Sequence, residues 1–263
     1  MVYTRSSYQR ANYISNQKSA YRLSRSKIEL FMQCQRCFWL DARLHIVRPN
    51  SPPFTINKAI DALFKKEFDS YRLKAEPHPL MIEFSIDAIP MQHDQLNSWR
   101  ENYTGVATLY KPTNFQVFGA IDDLWVDSKG QAIVVDYKAT AKPSEVNIDS
   151  DWQISYKRQL EVYQWLLRQN GLKVADTGYF VYANGRVDAD GFFDKIEFRT
   201  KLIPYKGDDS WIEPTLKKMK QCLDNDTMPA VGEAAMGGSC EFCHYARQRT
   251  ELTLAAISGK TVK

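Results

Sequence analysis

Two aspartates and a lysine near the middle of the chain have the types and spacing for hydrolytic chemistry. Residues 119–138 read GAIDDLWVDSKGQAIVVDYK. Because residues two apart in a β-strand share a face, Asp136 and Lys138 should point to the same side of a strand. A hairpin that turns about residue 129 places Asp122 directly opposite Asp136, with about 5 Å between the Cβ atoms.

Two carboxylates that face each other among apolar neighbours repel each other. They must share a proton, bind a cation or be held apart. Oxygen ligands at this spacing suit Mg²⁺ or Mn²⁺. Lys138 would then lie beside the ion, where it can stabilise the charge of an attacking hydroxide or a scissile phosphate. The alternative interpretation is that Asp122 and Asp136 are solvent-facing residues of a half-exposed hairpin.

A predicted helix that follows the hairpin carries Gln159 and Tyr163 four residues apart, hence on one helical face. Beside a metal site they could orient a base or a phosphate; otherwise they are solvated polar residues. Tyr156 and its basic neighbours on the same stretch suit single-stranded nucleic acid, whose bases stack on aromatic rings. Trp165 is expected in the core.

Four of the five cysteines form two Cys-x-x-Cys pairs, Cys34/Cys37 and Cys240/Cys243. Four thiolates in two pairs can make a tetrahedral zinc site or hold a 4Fe–4S cluster; the alternative is four reduced, buried thiols. Cys222 is unpaired and is expected to be a small buried hydrophobe. An odd number of cysteines without a signal peptide predicts a reducing, cytoplasmic location.

The composition is ordinary for a globular chain, with a formal net charge of +4 that permits a nucleic-acid partner without requiring one. No apolar stretch approaches the ~18 residues of a membrane span, so no membrane association is expected.

The elements that must position these residues form an α/β pattern. Residues 1–22 are expected to be a flexible basic tail, 23–250 one domain and 251–263 a second tail. The predicted helices are 26–44, with a capping box from Ser26 to Glu29, then 54–73, 95–103, 150–169 and 210–223. The predicted strands are 81–86, 115–126, 131–140, 179–183 and 195–202, with a turn at 184–185.

Five ordered blocks resemble the PD-(D/E)xK nucleases of the RecB-like type, which include CRISPR-associated and helicase-linked exonucleases. The blocks are SRSKIELFMQCQRCFWL, GAID at 119–122, VVDYK at 134–138, QLEVY at 159–163 and CEFC at 240–243. The resemblance implies a restriction-endonuclease-like core, a mixed β-sheet flanked by helices, and a cysteine clasp that joins the N- and C-terminal segments. It also implies metal-dependent hydrolysis of phosphodiester bonds.

By position, the resemblance assigns the site residues. Asp122, Asp136 and the backbone carbonyl of Tyr137 would bind the metal, Lys138 would be the catalytic lysine, and Gln159 with Tyr163 would lie against DNA. Two departures stand out. Asp61, or less favourably Glu67, occupies the place of the usual histidine ligand. The cysteines divide two and two rather than one and three; the resemblance still favours a 4Fe–4S cluster, with Zn²⁺ as the alternative.

The leading interpretation is a deoxyribonuclease dependent on Mg²⁺ or Mn²⁺, an exonuclease on single-stranded DNA or DNA ends, in repair or defence. A helicase or another repair or defence protein is the expected type of partner. The alternatives are a catalytically inert DNA-binding subunit and a metal-stapled interaction protein with a chance Asp-x-Lys.

Overall fold

Runs of helices and runs of strands follow one another along the chain in a computed structural model that describes residues 12–49, 55–232 and 239–259. The α-helices are α1 Arg25–Gln33, α2 Gln35–Leu44, α3 Thr55–Lys74, α4 Pro79–Glu83, α5 Leu96–Trp99, α6 Ile154–Gln169, α7 Ile212–Asp224 and α8 Glu241–Ile257. The strands are β1 Tyr21–Ser24, β2 Ala88–Pro90, β3 Val106–Tyr110, β4 Phe115–Gly119, β5 Asp123–Asp127, β6 Ala132–Thr140, β7 Thr177–Gly185 and β8 Phe198–Lys206.

The strands form two mixed sheets. The five-stranded sheet has the order β2-β5-β6-β7-β8 and is antiparallel except for the parallel pair β6–β7. The three-stranded sheet has the order β1-β4-β3, in which β1 lies parallel to β4. Mixed sheets flanked by helices, together with the clustering of the four paired cysteines, confirm the predicted fold class.

Strand β6 is covered on both faces, and its side chains alternate between two hydrophobic clusters. Val135 and Tyr137 pack with Phe68 of α3. Val134 packs in the larger cluster with Leu160 of α6. Because successive side chains of a strand point to opposite faces, the even-numbered residues of β6 face α6 and the odd-numbered residues face α3.

The β5–β6 hairpin has the predicted register. Asp123 pairs with Val135 and Val126 pairs with Ala132, so the hairpin is centred on residue 129. Gly130, with φ of +73°, supplies the left-handed turn conformation that favours glycine. Asp122 directly precedes β5, and the same register places it opposite Asp136.

The predicted helix 26–44 is wrong as a single element. It divides at Cys34, whose extended backbone (φ −161°, ψ 111°) ends α1 and caps α2. The capping box from Ser26 is also absent: α1 begins at Arg25, and Glu29 instead accepts hydrogen bonds from Gln33 and Arg158, at 3.2 and 3.3 Å.

Three further local predictions are wrong. The predicted strand 115–126 is two strands in different sheets, β4 and β5. The segment 81–86 is not a strand, because His78 caps α4 and Pro79 starts it in the position where proline suits a helix. Asn184 and Gly185 do not form a turn, since β7 continues through both in pairing with β8. The Asn184 side chain also bonds both backbone groups of Lys142, at 2.8 and 3.0 Å.

The structure also differs from the predicted tails. Tyr13 is buried, and its hydroxyl donates to Asp224 Oδ1 at 2.6 Å, so the ordered chain begins before residue 23. Strand β1 lies in the same segment. At the other end, α8 continues to Ile257. The remainder of the predicted tails, 1–11 and 260–263, lies outside the described residues.

The predicted core position of Trp165 is confirmed by its burial. Over the described ranges, no helix combines the length and apolarity that crossing a membrane requires.

Candidate active site and cysteine site

Asp136 lies on the α6 face of β6 with its side chain fully buried. Its Oδ2 forms an ion pair with Lys138 Nζ. Its Oδ1 has no hydrogen-bond donor among the described residues. Burial disfavours the charged form of Lys138, but the charges of Asp136 and Asp122 outweigh this and raise the pKa of the amine. Lys138 therefore stays protonated.

Asp122 reaches the same place from the preceding strand, and its Oδ2 accepts a hydrogen bond from the Tyr137 N–H at 2.9 Å. Burial, followed by the charge of Asp136, raises the pKa of Asp122 to about 6, against the opposing effects of Lys138 and Lys65. The two carboxylates therefore remain short of positive charge even with both lysines nearby.

Helix α3 brings Asp61 towards this pair through a lysine. Lys65 Nζ lies 2.9 Å from Asp61 Oδ2 and 3.9 Å from Asp122 Oδ1. Glu67, the other candidate on this helix, instead contacts His78 Nε2 at 3.0 Å with its side chain more than half exposed. The structure thus links Asp61, and not Glu67, to the carboxylate site.

Gln159 and Tyr163 contact each other on α6, where the Gln159 amide donates to the Tyr163 hydroxyl at 3.1 Å. Tyr163 packs so closely on Gly119 that a Cβ there would lie 2.7 Å from its ring. Burial raises the pKa of Tyr163, Arg25 opposes the rise, and the charges of Asp122 and Asp136 add to it. Tyr163 therefore lies within electrostatic reach of the carboxylate pair.

Arg25 is a residue that sequence reasoning missed. Its Cβ lies 3.3 Å from the position of a Cβ on Gly119, at the edge of the Tyr163 contact. Its Nε is buried without a hydrogen-bond partner in the described structure. In the sequence Arg25 stands in the first of the five blocks, within SRSKIE, a pattern that indicates a helix start and not a role.

Asp123 is the second residue that sequence reasoning missed, and it faces the other way. Its fully buried carboxylate accepts hydrogen bonds from Arg72, from Arg100 at 2.7 Å and from the Tyr137 hydroxyl at 2.7 Å. Asp69 binds the same two arginines at 2.9–3.0 Å. The signal was the adjacency of two acids in a strand, since neighbours must point to opposite faces.

The carboxylate site fits a hard divalent cation. Asp136 Oδ1 is a buried acceptor without a donor among the described residues, and burial together with the charge of Asp136 raises the pKa of Asp122. Carboxylate and carbonyl oxygens are the ligands that Mg²⁺ and Mn²⁺ prefer. Among the described residues, no three acidic side chains of this site lie close enough together to bind one ion. Lys65 lies between Asp61 and Asp122.

The two Cys-x-x-Cys pairs meet in space. The four sulfurs lie within 4.8 Å of one another, and Cys37 Sγ is 3.5 Å from Cys243 Sγ and 3.8 Å from Cys240 Sγ. Cys34 Sγ lies 3.7 Å from Cys243 Sγ. Arg48 donates to Cys240 Sγ at 3.3 Å. These four thiols can hold a metal, as the spacing of the pairs predicted.

The surroundings of the cysteine site favour thiolate at one position. Burial disfavours the Cys34 thiolate, but hydrogen bonds from the backbone of Cys37 and Gly232 outweigh it and lower the pKa of Cys34 to about 7. Burial raises the pKa of Cys243, and the neighbouring thiols add to the rise. Cys222 lies outside this group, and burial raises its pKa to about 11.

Comparison with known proteins identifies the superfamily of the chain. Residues 53–248 match the model of the PD-(D/E)XK nuclease superfamily. The match spans most of the chain, and the chain therefore belongs to this superfamily, whose members are generally phosphodiester hydrolases. The predicted superfamily is confirmed, while its RecB-like branch stays a prediction.

No curated protein matches the chain. Among solved structures, the crystal structure of SSO0001 is similar, with 15% identity, coverage of 82% of each chain and a TM-score of 0.32. A likeness at that TM-score carries no argument about this protein.

Proposed function

We propose that the protein is a deoxyribonuclease that depends on Mg²⁺ or Mn²⁺ and hydrolyses phosphodiester bonds in single-stranded DNA or at DNA ends. Membership of the superfamily supports nuclease activity in general. The observation that carries the proposal is the buried, donor-free Oδ1 of Asp136, opposite Asp122 and beside a protonated Lys138. A solvated hairpin face would leave none of these groups buried.

Asp122 and Asp136 would hold the cation, with the Tyr137 carbonyl and Asp61 as the further ligands that the resemblance implies. When bound, such a cation polarises the phosphate and lowers the pKa of a water. Lys138, whose ammonium group pairs with Asp136 Oδ2, would contribute positive charge beside the scissile phosphate.

Gln159 and Tyr163 are positioned to bind the substrate. Each keeps hydrogen-bonding capacity beyond their mutual bond at 3.1 Å, and amide and hydroxyl groups are common donors to phosphate oxygens. The close contact of Tyr163 with Gly119 holds this pair beside the end of β4, three residues before Asp122.

Replacement of Asp136 tests the proposal. Asp136→Asn should reduce Mg²⁺-dependent degradation of end-labelled DNA by at least about a thousandfold, because the charge that binds the cation is lost. Asp190→Asn, which removes the same charge from an exposed loop, is the matched control and should keep full activity. Both variants should retain the circular dichroism spectrum of the unmodified protein. Undiminished degradation by a folded Asp136→Asn protein would refute the mechanism.

For the cysteine site we propose one tetrahedral Zn²⁺, the alternative to the cluster that the resemblance favours. Zinc–thiolate bonds of about 2.3 Å in a tetrahedron separate the sulfurs by about 3.8 Å. The observed separations of 3.5, 3.7 and 3.8 Å support that spacing. A 4Fe–4S cube inserts iron and sulfide between the thiolates, so it needs the sulfurs further apart.

Metal analysis of anaerobically purified protein tests the zinc site. We expect about one zinc and no iron per chain, and loss of the zinc in Cys240→Ser. Cys222→Ser, a cysteine outside the cluster, should keep the metal. Iron and labile sulfide at four per chain would establish the cluster instead.

A further inference from the structure

Trp152 is exposed on a turn whose other residues are firmly held. Its side chain is 47% exposed, in the short 3₁₀ turn Asp151–Gln153 that precedes α6. Gln153 is buried, donates to the Asn147 carbonyl at 2.7 Å and accepts from the Ser150 N–H at 3.0 Å. The backbone of the turn that carries the exposed indole is therefore held in place by the fold.

A chain of four contacting side chains joins this ring to the active site. Trp152 meets Tyr156 edge to face, with 5.4 Å between the ring centroids. Lys138 Nζ lies 4.6 Å from the centroid of the Tyr156 ring, and Lys142 Nζ lies 5.5 Å from that of Trp152. The two rings and two ammonium groups thus extend outwards from Asp136, the partner of Lys138.

The backbone of Lys142 is fixed as well. The buried Asn184 side chain accepts from the Lys142 N–H at 2.8 Å and donates to its carbonyl at 3.0 Å. The backbone of Lys142 is therefore held beside the aromatic pair, with one ammonium group next to each ring. Rings flanked by positive charges match the chemistry of a nucleic-acid strand, which alternates flat bases with anionic phosphates.

We propose that Trp152 and Tyr156 form a base-stacking platform that binds an unpaired nucleotide next to the phosphate that is cleaved. Lys138 contacts the scissile phosphate on one side of this nucleotide, and Lys142 binds the phosphate on its other side. This inference rests on the proposed function, and it assigns the preference for single strands or frayed ends to particular residues. A base within a duplex has its faces covered by its neighbours, whereas an unpaired base can stack on an exposed indole.

The test compares removal of the ring with removal of a base. Binding of fluorescent single strands is measured by anisotropy at fixed ionic strength without divalent cations, so that no hydrolysis occurs. One abasic site is moved along the strand through successive positions. Unmodified protein, Trp152→Ala, Trp152→Phe and the control Phe193→Ala are compared; Phe193 is an exposed aromatic residue outside the platform.

Trp152→Ala should bind the intact strand about tenfold more weakly, and Trp152→Phe should retain most of the affinity. An abasic site at one position should weaken binding to the unmodified protein by a similar factor and should not weaken binding to Trp152→Ala further. Phe193→Ala should behave as the unmodified protein does. This non-additivity identifies the base that stacks on the ring.

The platform would be overturned if Trp152→Ala and each abasic site weakened DNA binding by independent, additive amounts. Unchanged DNA binding by Trp152→Ala would overturn it as well. Loss of binding to a protein partner with unchanged DNA binding would overturn it too. The outcome is separable from that of the proposed function. Non-additive losses of binding without hydrolysis in Mg²⁺ or Mn²⁺ would support the platform and refute the nuclease activity. Hydrolysis with additive losses of binding would support the nuclease activity and refute the platform.

Discussion

Asp122 and Asp123 are adjacent in sequence and have opposite surroundings. Asp122 faces Asp136, and its pKa is raised to about 6. Asp123 faces α3, where two arginines and the Tyr137 hydroxyl satisfy it. One acid is short of positive charge and suits an added cation, while the other is fully paired. The alternation of side chains along a strand separates the two roles.

The buried network around Asp123 predicts a large loss of stability on neutralisation. Asp123→Asn should lower the free energy of unfolding by about 3–5 kcal/mol, because two arginines would lose their buried counter-charge. Asp69→Asn is the matched control, because Asp69 binds the same arginines but its side chain is 40% exposed. We expect this variant to lose only about 0–1 kcal/mol of the free energy of unfolding. Urea unfolding measures both. Equal losses in the two variants would contradict the role of burial.

For single residues, the sequence was enough to predict contacts with neighbours that are close along the chain. Asp136 and Lys138 share a strand face, and Gln159 contacts Tyr163 one helical turn away, as predicted. The partners of Asp123 could not be foreseen in this way. Arg72 and Arg100 lie 51 and 23 residues before it, and no short-range period links them to the hairpin.

Among the elements, the β5–β6 hairpin was the most predictable. Its register follows from a turn with Gly130 and from alternating apolar residues, all within one short stretch. The break between α1 and α2 was not predictable. Helical spacing continues through Cys34. Its extended backbone lets the sulfur accept from the Cys37 N–H at 3.5 Å and lie 3.7 Å from the sulfur of Cys243, 209 residues away.

The contact between β4 and α6 makes Gly119 a test of how these elements position the site. In Gly119→Ala the new methyl group would lie 2.7 Å from the Tyr163 ring and 3.3 Å from Arg25 Cβ. We expect kcat/KM to fall about tenfold or more, with a loss of about 1–3 kcal/mol in stability as the ring is displaced.

Gly130→Ala is the control for that substitution. Its Cβ would enter open space, so only the positive φ of +73° costs stability, by about 1–2 kcal/mol. Activity of the remaining folded protein should be unchanged. If the two variants lose activity equally, the contact with Tyr163 does not position the site.

Across the whole molecule, the cysteine site joins helix α8 to the α1–α2 junction. Within the described chain, α8 buries none of its side chains, although Cys240 at its N-cap is buried. A cross-link between residues 209 apart in sequence lowers the conformational entropy of the unfolded chain. In the chain-entropy model this stabilises the folded state by about 5 kcal/mol. We therefore expect the position of α8 to depend on the four thiols and on the ion proposed for them.

Removal of the metal should consequently release α8 before the rest of the fold. With a strong chelator we expect limited trypsin digestion to cleave first at Arg247 and Arg249, both exposed, while the sheet core stays resistant. Without the chelator the same bonds should be protected, and Cys222→Ser should behave as the unmodified protein in both conditions. Identical digestion with and without the chelator would show that the metal does not hold α8.

The long separation between the cysteine pairs also sets an order of events during synthesis. At ribosomal rates of about 5–20 residues per second, Cys34 and Cys37 wait some 10–40 s for their partners. Tyr163 emerges well before Cys240, so the carboxylate site can assemble on the nascent chain while the N-terminal thiols are still unpaired. During that interval those thiols would be open to oxidants and to metal ions other than the one proposed for the finished site.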